Sequence, residues 1–180
     1  MSAVSDPALL YTALMLRKLH EARGFGRVFD AGPEGRYRAV LAEHLPGAAW
    51  IGAEEAWAPV LDEFRLRRDG DGRLGCADIR ITAAARLAGL DLALFEGVFE
   101  HLEPADALAL AGAWLERSAL VLVSLPAALP VGTALPGLLS RFVQGGDAVC
   151  FLSTDAGRAR QVAQLHGVIP GIVQRMTGGG

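Results

Sequence analysis

A chain of 180 residues that is 52% hydrophobic and 21% charged has the size and composition of one domain with a buried core, which excludes a disordered segment. A formal net charge of −3 and an isoelectric point near 5.8 exclude the basic footprint of a general nucleic-acid binder. No uncharged apolar run reaches the roughly 18 residues of a membrane span, because the closest, 118–139, is broken by Pro126, Pro130 and Pro136.

The first residues lack the basic start and apolar centre of a secretory leader, so a cytoplasmic location is the expectation. Residues 7–23 place Leu9, Leu10, Ala13, Leu14, Leu16 and Leu19 at helical spacing, with Asp6 as N-cap and Gly24 and Gly26 as stops. A short buried strand, 27–31, ends in Asp30; a turn of Gly32, Pro33, Glu34 and Gly35 leads to a helix over 36–44. A second strand, 48–53, ends at Glu54 and Glu55. A helix over 59–67 carries Arg65, Arg67 and Arg68, which read as a solvated helix end before Asp69 and Asp71. A third strand covers 73–77 and a short helix 82–87. The run LDLALF, 90–95, is a fourth strand, apolar throughout as a central parallel strand should be.

A helix over 104–117 follows, then a fifth strand, 119–124, stopped by Pro126. Beyond it the pattern weakens: a loop with a short helix at 138–143, a strand at 148–152, a helix over 155–166 capped by Ser153 or Thr154, and a weak strand at 168–175. Cys76 and Cys150 lie in apolar runs and read as small hydrophobes rather than zinc ligands. Strands alternating with helices predict one domain, 1–180, with a Rossmann-like, doubly wound, mostly parallel sheet and helices on both faces. Ligands of such folds sit beyond the carboxyl ends of the strands, where the strand order reverses.

The residues at those ends are acidic. Asp30, Glu54 and Asp78 follow successive predicted strands at equal spacing. An acid beside the first glycine-bearing turn repels pyrophosphate but suits an ammonium or sulfonium group. The second can accept ribose hydroxyls, and the third an exocyclic amine. The fingerprints G-x-G-x-x-G and G-x-x-x-x-G-K-[ST] are both missing, which disfavours a nucleotide-dependent oxidoreductase.

The blocks DAGPEGRY (30–37), WIGAEEAWAP (50–59), GCADIR (75–80), DLALFEGVFEHLEPADAL (91–108) and LVLVSLPAA (120–128) resemble, in order and spacing, the class I S-adenosylmethionine (SAM)-dependent methyltransferases. The resemblance covers about residues 25–130. It implies a cofactor core over that stretch, a lid helix over 1–24 and a divergent completion of the sheet over 131–177. It further implies that Asp30, Gly32 and Gly35 line the methionine end of SAM, that Glu54 holds the ribose, that Asp78 and Ile79 flank the adenine, and that Glu96 also belongs to the cofactor site. Pro33 and Glu34 stand where the family's loop carries its middle glycine.

The implied activity is methyl transfer to an O, N or C nucleophile of a small, apolar molecule, with Glu96, His101 and His20 as candidate bases. Some relatives bind a divalent metal through E-x-x-E-H; here Gly97 replaces the first Glu, so no metal is assigned, and Glu100 and His101 are expected to cap the following helix. Trp50, Trp57 and Trp114 are expected in packing rather than as nucleic-acid stacking platforms. The alternative to an enzyme is a catalytically inactive binding or scaffold protein on the same fold. Neither acceptor nor oligomeric state is readable.

Overall fold

A computed structural model of the chain describes residues 6–31, 36–52, 66–68, 74–76 and 89–178. Helix α1, Pro7–Arg23, begins as the sequence dictates: Asp6 Oδ1 accepts the N–H groups of Ala8 (2.9 Å) and Leu9 (3.3 Å), and Pro7 occupies the first turn. It ends where Gly24 takes φ +65° and donates its N–H to His20 O, a conformation that a side chain would strain. Strand β1, Arg27–Asp30, leads to α2, Arg36–Leu41, continued by a 3₁₀ turn, Ala42–His44, and then β2, Ala49–Gly52.

Strands β3, Leu66–Arg68, and β4, Leu74–Cys76, pair antiparallel in a hairpin of their own. This corrects two expectations. Residues 66 and 67 are strand rather than helix, and the strand expected over 73–77 lies outside the main sheet. Its pairing partner is local, with Arg68 opposite Leu74 and Leu66 opposite Cys76, so hairpin closure replaces a crossover.

The main sheet continues with β5, Leu90–Glu96; α3, Pro104–Leu115; β6, Ser118–Pro126; β7, Leu138–Gln144; β8, Asp147–Leu152; α4, Ala156–His166; and α5, Ile169–Thr177. Its order is β2-β1-β5-β6-β8-β7. The first four strands are parallel, and β8 runs antiparallel to both β6 and β7. From β1 the chain steps to β2 on one side and returns to β5 on the other, so the order reverses between β1 and β5.

Side chains alternate across this sheet and build two cores. Phe29, Ala93, Phe95, Val121, Val123, Cys150 and Leu152 face α3. Val28, Leu92, Leu94, Leu120, Leu122, Val149 and Phe151 face α1, α2, α4 and α5. The architecture is therefore the doubly wound α/β sheet expected, with helices on both faces.

Two corrections fall at the carboxyl-terminal end. The segment 138–143 is a strand, β7, not a helix: its partner β8 is one two-residue turn away, with Gly145 at φ +66° and Gly146 at φ +93°. The segment 168–175 is helical, not a strand, because Ile169, Ile172, Val173 and Met176 recur with helical spacing and Pro170 sits in the first turn, where no N–H is needed. Helix α1 lies along one face of the sheet with Tyr11, Met15, Leu16 and Leu19 fully buried, and packs on α4, α5, β7 and β8. This helix therefore contributes to the core on that face of the sheet.

Candidate functional site

The reversal between β1 and β5 puts the site at the carboxyl ends of these strands, and Asp30 closes β1 there. It is 1% exposed, and its Oδ2 accepts the N–H of Arg38 in the first turn of α2 at 3.2 Å. The carboxylate thus spans the loop between β1 and α2 from one end to the other. Ala31 N donates to Leu94 O (2.9 Å), extending the pairing of β1 with β5 past Asp30. Glu96 ends β5 two residues beyond Leu94, the register partner of Asp30. Asp30 and Glu96 are therefore brought to the same end of adjacent strands.

Past Glu96 the chain turns at Gly97, φ +69°, where a side chain would be strained. A glutamate at this position, which an E-x-x-E-H metal site would need, meets that conformational cost. Phe99–His101 then forms a 3₁₀ turn against β6. An aromatic column fixes it: Trp114 stacks on Phe29 (4.7 Å, 2°) and meets Phe95 edge-on (5.2 Å), and Phe95 meets Phe99 edge-on (5.6 Å).

Glu100, in that turn, does not cap α3: its Oε2 is shielded from solvent and meets no partner among the described residues, and the helix starts at Glu103 without a side-chain cap. The side chain of His101 lies outside the described residues, as do Gly32, Gly35, Glu54, Trp57, Asp78 and Ile79 and the helix expected over 82–87. Among the described residues no three His, Cys, Asp or Glu side chains gather as a metal site.

His20 belongs elsewhere. Its Nδ1 accepts the N–H of Phe25 at 2.9 Å, which leaves Nε2–H to donate to Pro46 O at 3.1 Å. Phe25 precedes β1 and Pro46 precedes β2, so His20 stands at the amino end of the sheet, opposite Asp30. The family pattern suggested a base here, but the imidazole is a clasp between α1 and two loops.

Beside it Arg17, Glu21, Glu43, His44 and Pro46 complete an open depression of about 400 Å³. On its surface Arg17 and Lys18 pair with Glu21, and His44 Nε2 lies 3.5 Å from Glu43 Oε1. Trp114 is in the core and Trp50 packs at its margin, as expected. Cys150 is a buried thiol, pushed up to about 11 by burial, with Sγ 3.6 Å from Gly132 O.

Fold and site define a doubly wound α/β protein whose carboxyl-end site carries buried acid rather than a phosphate loop. No protein-family model matches the chain, and no curated protein matches it. Similar solved structures exist. The mitomycin 7-O-methyltransferase MmcR is 14% identical with a TM-score of 0.47, over 80% of this chain and 53% of that one. The pyocyanin biosynthetic protein PhzM is 13% identical, TM-score 0.46, over 78% and 54%. Human methyltransferase-like protein 13 in complex with SAH is 11% identical, TM-score 0.43, over 91% and 89%. The chain spans about half the length of the first two.

Proposed function

We propose that the protein transfers a methyl group from SAM to an O, N or C nucleophile of a small, largely apolar molecule. The observation that carries this reading is the placement of Asp30, a buried carboxylate at the point where strand order reverses, with Glu96 at the end of the adjacent strand. Two carboxylates and no phosphate fingerprint make an anionic acceptor set complementary to an ammonium or sulfonium ligand. SAM fits that set, and when bound it supplies the electrophilic methyl group.

The chain's own residues do the rest. Asp30 ties the end of β1 to α2 and so fixes both ends of the loop carrying Gly32 and Gly35, which would approach the methionine moiety. Glu54 would accept the ribose hydroxyls, and Asp78 with Ile79 would flank the adenine. Glu96 would lie nearest the reacting centre and, with His101, stands as the remaining candidate to take a proton from the acceptor. Methyl transfer from a bound sulfonium is a reaction governed by alignment, which the fixed ends of β1 and β5 would serve.

Thermal unfolding with SAM and with ATP tests the reading. SAM at about 100 times its Kd is expected to stabilise the native state by about 2.7 kcal/mol, a rise of several degrees in Tm, whereas ATP is expected to shift it little. Equal shifts with both ligands, or none with SAM, would contradict it.

A further inference from the structure

We propose that helix α5 docks the protein on a membrane surface that carries anionic lipid, with Val168, Ile172 and Met176 entering the headgroup boundary and Arg175 meeting the phosphates. Val168, at the N-cap, Ile172 and Met176 recur every four residues and so form one stripe along the helix. The fold uses only the neighbouring arc. Ile169 and Val173 are buried in the core shared with α1, while Val168 and Met176 stay 61% and 62% exposed and Ile172 is half-buried. Val143 is the one other large apolar residue left exposed among the described residues. Arg175 borders the stripe: its Nη1 lies 3.7 Å from where a Cβ on Gly171 would stand, so the side chain folds back one turn along the helix.

Charge favours an anionic partner. Asp155 is the last acid of the sequence, and residues 156–180 carry Arg158, Arg160 and Arg175 with no Asp or Glu. The whole chain has a formal charge of −3 and this stretch +3, so residues 1–155 carry −6 (−3 − 3). Arg158 is buried, whereas Arg160 and Arg175 are exposed. Helix α1, packed against α5, adds Arg17, Lys18 and Arg23 against Glu21 alone. An acidic molecule with one acid-free, arginine-bearing helix pair meets a negative surface in one orientation.

A protein partner is the poorer fit. Stable protein interfaces cover about 800 Å² a side around aromatic anchors. Here three apolar side chains without an aromatic ring stand on and beside a nine-residue helix. A second copy set against the same stripe would bring arginine to arginine. A bilayer demands no complementary shape and holds apolar side chains flanked by arginine.

Co-flotation of the full chain with vesicles of phosphatidylglycerol or of phosphatidylcholine tests the proposal. Wild type is expected to bind the first and not the second, and to be released by high salt. Arg175→Gln is expected to weaken binding roughly fivefold, and Met176→Ser roughly tenfold. Val143→Ser, on strand β7, is expected to leave binding unchanged. All three replace exposed side chains, so Tm is expected to stay at the wild-type value.

Absence of binding to phosphatidylglycerol, equal binding to both lipids, or binding that survives Arg175→Gln and Met176→Ser together overturns the proposal. Equal loss in Val143→Ser overturns it too, as does a Tm that falls in Met176→Ser, which would mean that the fold already uses the stripe. A concentration-dependent dimer in sedimentation, dissolved by Met176→Ser, would give the stripe to a second copy and likewise overturn it.

Discussion

Tyr11 and His166 illustrate how single residues tie the helical layer together. Tyr11 is fully buried, stacks on Phe142 (4.1 Å, 13°), and its hydroxyl lies 2.7 Å from His166 Nδ1. Burial pushes the phenol up to about 12, so it stays a donor at ordinary pH, and Nδ1 accepts while the imidazole is neutral. Burial also holds His166 below the ordinary imidazole value of 6.5. Since the folded value is the lower one, the native state favours the neutral ring. This contribution is complete above 6.5 and is lost as pH falls from there through the folded value. Denaturant unfolding at successive pH values is expected to show that loss in wild type and a shallower one in His166→Gln. Identical profiles would refute the assignment.

At the scale of elements, what the sequence made legible depended on how local the signals were. Helix α1 was readable to the residue because Asp6, Pro7 and Gly24 are local chemistry, and β5 and β6 because central parallel strands are apolar throughout. Asp6→Ala removes the acceptor for Ala8 and Leu9 and is expected to cost about 1 kcal/mol, read as a shift in the denaturant midpoint without a change in slope. An unchanged midpoint would mean the cap contributes nothing.

Two signals at the other end were present but overruled. Leu138, Leu139, Phe142 and Val143 imitate helical spacing, yet Gly145-Gly146 between two apolar runs marks a hairpin. Pro170 and Gly171 suggested a broken strand, although proline in a first turn is helix-compatible. The isolation of β3 and β4 from the sheet could not be read, because strand partners are a tertiary choice.

At the scale of the whole molecule, the strand order makes the site. Reversal between β1 and β5 brings Asp30 and Glu96 to one end; of the three equally spaced acids of the sequence, Glu54 and Asp78 lie outside the described residues. The same topology removes His20 to the opposite end, which no local pattern reveals: a histidine near a helix terminus reads alike whether it serves a reaction or a loop. Glu100 was legible only as part of a motif. Its unpartnered oxygen is a property of the folded surroundings and has no sequence signature.

Calorimetric titration of the full chain with S-adenosylhomocysteine tests the central claim most directly. The account predicts a single binding site, lost in Asp30→Ala and kept within twofold in His20→Ala, since a twofold change is under about 0.5 kcal/mol. No heat of binding at millimolar ligand, or equal loss of affinity in both variants, would contradict it.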